Sequence, residues 1–352
     1  MKKQLFASFI SVWAGILILA GCGGQQVETA KENPGAAPAA QPQGAKVVEN
    51  LSLTLAGGNP GGFWSLIGEG VSSVLRESIP NTQANYEPGA GVPNTINTAS
   101  GKITMGLAHN FEVKAALTGM EPYKEKVPEV QAIATVYNNA PQQFVITQEF
   151  ADKYGIQSLE DIAEKKPPIR VAINQRGNMT ETINRLSFEA NGFTYEDIKS
   201  WGGEVYFDSY SQAIPLMKDN KIDLFGVPAF APDGKILELL GSRKIALLPL
   251  NEKAQKLLEE QLGVPTGVIP AGSYEFLKED VQTSLSSAII VVDPKMSVDE
   301  AYTITKTLVE NLERIKALHK NLSVLTPEIM SNVSPAQLHP GAELYYKEAG
   351  FK

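Results

Sequence analysis

From residue 51 onward the sequence alternates short apolar runs with stretches of helical period, and this alternation limits the fold more than any other feature. Leu51-Ser-Leu-Thr-Leu-Ala56 puts an apolar residue at every second position, as a half-buried strand does. A loop with two glycine pairs follows, Gly57-Gly-Asn-Pro-Gly-Gly62, and then Ile67, Val71, Val74 and Leu75 recur at helical spacing. Further apolar runs read as strands at 103–107, 132–136, 144–147, 169–173, 205–207, 222–226, 245–248 and 288–292. Met179, Ile183, Leu186 and Ala190 make one helical face. Ala301, Thr305, Leu308, Leu312 and Ile315 make another, opened by the capping-box pattern Ser297-Val-Asp-Glu300. Strands alternating with helices predict an α/β architecture. A chain of 352 residues is long for one core and comfortable for two lobes. Two segments, 141–148 and 264–273, look like crossings between lobes. They predict a discontinuous first lobe, 48–140 with 270–352, and an inserted second lobe, 141–269.

The first 47 residues stand outside this pattern. Lys2 and Lys3 precede an apolar run from Leu5 to Ala20, and Leu19-Ala20-Gly21-Cys22 ends it. Residues 1–21 read as a secretory signal, short for a membrane span. Their end resembles the lipobox of bacterial lipoproteins, in which the cysteine is acylated and the peptide before it removed. The alternative is an uncleaved helical anchor. Cys22 is the one cysteine of the chain, so its lipidation leaves no thiol for a disulfide, a metal or a nucleophile. Residues 22–47, rich in Gly, Ala, Pro and Gln, read as a flexible tether from the lipid. Without residues 1–21 the chain carries 29 basic and 39 acidic residues, a net charge of −10. Such an acidic body lacks the basic footprint of a nucleic-acid binder.

Four loops sit where open α/β sheets hold ligands, beside strand ends. They are 57–62, 88–94, 174–180 and 201–203, the last leading to Ser209-Tyr-Ser-Gln212. The first lacks the Gly-x-Gly-x-x-Gly spacing of a dinucleotide loop. Trp64 is expected to line a cleft. His109, with Asn110 beside it, ends an apolar strand, which by itself reads as a capped strand end. Neither of the first two loops contains arginine, so an anion there would depend on backbone N–H groups, Asn59, Asn94 and helix ends. In the third loop Asn178 is placed to cap the next helix with Glu181 as its reciprocal partner. Thr180 offers a hydroxyl, and Arg176 could pair with a carboxylate. His339 reads as structural and His319 as solvated.

In order and spacing, these motifs resemble the TAXI group of solute-binding proteins, partners of TRAP-type membrane transporters. The likeness runs from Leu51 to Lys352. It rests on Gly61-Gly-Phe-Trp64, Gly68, Pro88-Gly89, Asn94, Ser100-Gly101, Gly106-Leu107, Gly202-Gly203, Tyr210-Ser211, Ile222-Asp223 and Ile269-Pro-Ala-Gly-Ser-Tyr274. Its most specific piece is Leu338-His-Pro-Gly-Ala-Glu-Leu-Tyr-Tyr-Lys-Glu-Ala-Gly350. The resemblance implies a two-lobed periplasmic-binding-protein-like fold (type II) with the ligand cleft between the lobes. It makes His109, with Asn110, a second cleft candidate, and it adds Gly62, Phe63 and Tyr210 to the ligand-binding candidates. It implies a small organic acid or amino acid as ligand, glutamate-like or a dicarboxylate. The implied partners are TRAP-type transporter subunits and, through the lipid anchor, the outer face of the cytoplasmic membrane or the periplasm. The chain departs from the family where Ser65 and Leu66 replace an aromatic and a proline, where Phe63 replaces a small hydroxyl residue, and where Gly177-Asn178-Met179-Thr180 replaces a Gly-Ser-Gly-Thr-like loop.

An enzyme on the same scaffold is the competing class. The histidines are far apart, no nucleophile elbow or paired metal-ligand spacing occurs, and the acids are scattered. The reading therefore expects no catalytic residue, no metal and no cofactor. A ligand sensor signalling to a membrane receptor and the receptor of an ABC transporter remain alternatives with the same fold.

Overall fold

The computed structural model describes residues 44–58, 60–176 and 178–352. The signal segment, Cys22, most of the tether and Asn59 lie outside the described residues. Among the described residues, no helix is long and apolar enough to cross a membrane.

The strands are β1 (Ser52–Ala56), β2 (Gln83–Glu87), β3 (Met105–His109), β4 (Gln131–Thr147), β5 (Arg170–Ala172), β6 (Glu204–Tyr206), β7 (Leu224–Pro228), β8 (Ile245–Leu248), β9 (Thr266–Ile269), β10 (Val281–Val292) and β11 (Gln337–Leu338). They fall into two groups of the same plan. In the first the order is β2-β1-β3-β10-β4, with β1 parallel to β2 and β3 and with β10 antiparallel to β3 and β4. In the second the order is β6-β5-β7-β4, again with three parallel strands and an antiparallel fourth. The long strands β10 and β4 hold the fourth place in turn. No repeat is visible in the sequence, yet the two halves repeat in topology.

β4 carries the chain from one group to the other. It pairs with β10 through Pro141 and with β7 from Gln142. Proline removes one ladder donor, and Pro141 stands where the partner changes, its carbonyl accepting the Ala229 N–H at 3.1 Å. The runs 132–136 and 144–147, expected as two strands, are thus parts of one.

Two buried asparagines tie the parallel strands together. Asn94 Nδ2 donates to Ala56 O, Gly57 O and Leu107 O at 3.2, 2.9 and 2.8 Å. Asn184 Nδ2 donates to Ile173 O and Gly226 O at 3.2 and 3.0 Å. Each approach needs a glycine in the neighbouring strand. A Cβ on Gly106 would lie 2.9 Å from Asn94 Cβ, and one on Gly226 would lie 2.1 Å from Asn184 Oδ1.

The helix Phe63–Ser78 buries Ile67, Val71, Val74 and Leu75 on the first group, as its spacing predicts. The helix Met179–Ala190 does the same on the second with Met179, Ile183 and Leu186. The face expected over 301–315 is divided at Asn311 between the helices Val298–Glu310 and Leu312–Ala317. Its capping box is present, with Ser297 Oγ accepting the Glu300 N–H at 3.2 Å.

Candidate functional site

The ends of β1 and β2 lead into two helices whose preceding loops are joined by the Gly89 N–H donating to Gly58 O at 3.4 Å. The helix Phe63–Ser78 starts at Gly62, and the helix Gly91–Ala99 starts at Ala90. Neither has a side-chain cap or an acid in its own first turn. The Glu112 carboxylate lies against Gly91 at the second start, and the first start has no such counter-charge from its own helix.

A hydrogen-bonded chain runs across these ends. Trp64 Nε1–H donates to Tyr137 Oη at 3.0 Å, and Tyr137 Oη lies 3.2 Å from His109 Nε2. His109 Nδ1 lies 3.2 Å from Glu112 Oε2, which also accepts the His109 backbone N–H at 2.8 Å. An indole N–H can only donate. Tyr137 therefore accepts from Trp64, and its oxygen also lies within hydrogen-bond reach of His109 Nε2. Burial pushes the Tyr137 phenol far above its ordinary value, which keeps it a donor.

Aromatic rings close around this chain. Trp64 lies 4.4 Å from His109 between centroids, and Phe111 stacks on the other side of His109 at 4.6 Å. Phe63 meets Tyr137 at 5.8 Å, Phe230 at 4.9 Å and His319 at 5.0 Å, and Phe230 meets Tyr137 at 5.0 Å. Phe230 follows β7, so the second strand group supplies a wall to a cluster otherwise built on the first. Its backbone is fixed by Gln143, whose Nε2 donates to Ala229 O and Phe230 O at 2.8 and 3.1 Å. The Tyr274 hydroxyl donates to Gln143 Oε1 at 2.7 Å.

The loop before the helix Met179–Ala190 has fewer open donors than its sequence suggests. The Asn178 N–H goes to Gln175 O at 3.0 Å, and Asn178 Oδ1 accepts the Thr180 N–H at 2.8 Å. Glu181 is not the reciprocal partner of that cap. Its carboxylate accepts the Tyr195 hydroxyl at 2.8 Å and lies 3.9 Å from Arg185. Arg176 is exposed and stacks over Phe207, with Cζ 3.6 Å from the ring centroid. Thr180 is buried.

The remaining expected residues are placed as follows. The Asn94 amide is occupied by three carbonyls, and its Oδ1 accepts the Ala90 N–H at 3.3 Å. Asn110 joins the two sets of elements, donating to Gly263 O at 2.7 Å and accepting the Ser287 N–H at 3.2 Å. The Tyr210 hydroxyl donates to Asp233, which caps the helix Gly234–Leu240. His339 is buried, its Nδ1 accepting the Gly341 N–H and its Nε2 facing Met296 O at 2.9 Å. His319, expected in solvent, is half-buried against Phe63.

Tyr137, Phe111, Phe230 and Glu112 are members of the cluster that the sequence did not single out, and His319 is one it expected in solvent. Tyr137 directly follows the apolar run 132–136 and lies in mid-strand, since β4 continues to Thr147. Nothing local marks Phe230 or His319, whose place depends on contacts to residues distant in sequence.

A TctC solute-binding protein from Polaromonas has a similar structure, with a TM-score of 0.51 and 13% identity over 85% of this chain and 96% of that one. At this identity the likeness is one of fold, and the fold is the two-lobed α/β fold of periplasmic binding proteins. MatC from Rhodopseudomonas palustris with bound malate gives a TM-score of 0.49 at 11% identity, over 85% of this chain and 96% of that one. The sequence pattern of the NMT1-like family matches residues 55–350, a span that takes in the whole aromatic cluster. The chain belongs to the NMT1-like family.

Proposed function

We propose that the chain is an extracytoplasmic solute-binding lipoprotein, anchored through Cys22, that captures a small organic acid or amino acid and delivers it to a TRAP-type transporter. The observation that carries this reading is the contact of Phe230 with Phe63 and Tyr137. A wall from beyond the partner change at Pro141 is seated on the start of the helix Phe63–Ser78 and on Tyr137, which supports two lobes that meet at a ligand site. The motif order shared with the TAXI group supports the transporter class.

In this reading 48–140 with 270–352 forms one lobe and 141–269 the other. Gly62, Phe63, Trp64 and His109, with Asn59 in the same loop, face the solute from the first lobe. Arg176, Asn178 and Thr180 face it from the second. Asn94, Asn110 and Tyr210 act by holding the strand ends, the lobe contact and the helix start that frame the site. Glu181, drawn toward Tyr195, leaves the second-lobe loop free of its charge.

The test is mass spectrometry of small molecules released on denaturing the purified protein, paired with uptake of the labelled compound by cells with and without the protein. The reading expects a carboxylate-bearing solute and an uptake defect in the deleted cells. Chemical turnover of the solute by the purified protein, or unchanged uptake, would contradict it.

A further inference from the structure

Among the described residues, several buried polar atoms on β4 and β10 have no partner, and three of them belong to fully buried residues where these strands pass between the lobes. These three are Gln142 Oε1, Ser284 Oγ and Ser286 Oγ, and their residues are 2%, 0% and 0% exposed. A buried polar group without a partner costs roughly 1–3 kcal/mol, so such groups are rare and ask for an explanation.

Their placement supplies one. In β10, Ser284, Ser286 and Ala288 alternate onto one face. Ala288 pairs with His109 on one side and Tyr137 on the other, and Ser286 pairs with Ala140. Gln142 follows Ala140 by two residues in β4. The orphaned atoms therefore continue the face that bears the Tyr137–His109 pair, along the two strands that pass from lobe to lobe. Only small side chains, Ala140, Ala288 and the two serines, occupy this stretch between Tyr137 and Gln142.

The orientation of Gln142 is fixed by its neighbours. Asn184 must turn its Nδ2 to the carbonyls of Ile173 and Gly226, so its Oδ1 accepts, and Gln142 Nε2 donates to it at 2.8 Å. What remains of Gln142 is a carbonyl oxygen, which can only accept. A serine hydroxyl can donate or accept.

Resting on the reading of the cleft as a solute site, we infer that Gln142, Ser284 and Ser286 form a subsite for a hydrogen-bond-donating group of the solute, an amine or a hydroxyl. The carboxylate of the solute then lies elsewhere in the cleft, since the Gln142 carbonyl would repel it. The subsite separates amino and hydroxy acids from plain dicarboxylates.

The experiment titrates the full chain and the Ser284→Ala/Ser286→Ala variant with L-glutamate, L-2-hydroxyglutarate and glutarate. These differ only in bearing an amine, a hydroxyl or a hydrogen at one carbon. The parent binds glutamate or hydroxyglutarate at least about tenfold tighter than glutarate. The variant reduces that preference to about threefold or less and leaves glutarate affinity unchanged. Which of the two donor-bearing compounds is preferred tells amine from hydroxyl. Equal binding of all three by the parent, or an undiminished preference in the variant, overturns the subsite. Melting of both unliganded proteins is the second arm, and it separates failure of the subsite from failure of the ligand class. Hydroxyls with no partner contribute nothing to the fold, so the variant melts no lower than the parent. A drop of more than about 2 °C means that the hydroxyls have partners within the fold, and overturns the subsite. Silence of all three compounds with unchanged melting refutes the glutamate-like solute class and upholds the serines as unpartnered.

Discussion

Phe230 meets Phe63 edge to face, with ring centroids 4.9 Å apart, although one follows β7 and the other opens the first helix. Their contact spans the point at which β4 changes partner. It ties the shape of the site to the relative position of the two lobes, and several consequences can be measured.

Removing Phe230 should weaken solute binding more than it weakens the fold. Phe230 is half-buried and makes two aromatic contacts, each contributing about 0.5–1.5 kcal/mol. Phe230→Ala is expected to raise the dissociation constant roughly ten- to a hundredfold. The unliganded melting temperature should fall by a few degrees, because the same two contacts are part of the fold. Calorimetric titration beside a melting scan checks this; equal affinity in variant and parent would take Phe230 out of the closure.

Trp64 contributes both a ring and an N–H. Trp64→Phe keeps much of the ring and loses the donor to Tyr137, a change of about 0.5–1.5 kcal/mol. Trp64→Ala should cost distinctly more, because the stack on His109 goes as well. Identical losses for the two variants would show that only the hydrogen bond matters.

Asn94 is expected to act on stability instead of recognition. Asn94→Ala leaves three buried carbonyls without their donor, so the unfolding free energy should fall by about 3 kcal/mol or more. The affinity of the protein that remains folded should stay within about threefold of the parent, because the amide already has its partners. Denaturant unfolding and titration of the same preparation separate the two effects. A large loss of affinity without loss of stability would make Asn94 a ligand residue.

His339 gives a pH signature. Burial lowers its pKa below the ordinary value, and Nδ1 already accepts the Gly341 N–H, so protonation there would break a cap. The unfolded chain takes up this proton first as pH falls. Its contribution is therefore complete above the unfolded pKa, near 6.5, and is lost as pH drops from there toward the folded value. Unfolding free energies at pH 7.5 and 5.5 should differ more in the parent than in His339→Gln. Parallel pH profiles would rule out His339 as a source of the slope.

Much of the fold was legible because burial in it follows local period. The run Ile245–Leu248 is β8 to the residue, and the helices opening at Phe63 and Met179 bury the predicted faces. β2 was not legible: its sequence, Gln83-Ala-Asn-Tyr-Glu87, offers one buried residue, Ala84, and its pairing is supplied by β1. β4 looked like two strands because Asn138, Asn139 and Pro141 are poor strand residues. The irregular pairing beside Ser286 and Ala288 accommodates the first two, and the partner change accommodates the proline. β9 fell in a segment read only as a crossing, since Thr266-Gly-Val-Ile269 has no alternation of its own. At the site, Trp64 and His109 were visible at strand and helix ends, whereas the Asn94 amide turned inward to backbone carbonyls that no local pattern reveals.

The central claim is that the lobes close over a solute at the aromatic cluster. Replacing Cys22 leaves no native thiol, so spin labels on cysteines introduced at the exposed residues Gln83 and Lys199, one per lobe, report the distance between lobes by pulsed electron resonance. The account predicts that adding the solute recovered from the purified protein shortens and narrows that distance distribution, and that Phe230→Ala reduces the shift. A distribution that stays the same at saturating solute, in a protein that calorimetry shows to be fully bound, would contradict it.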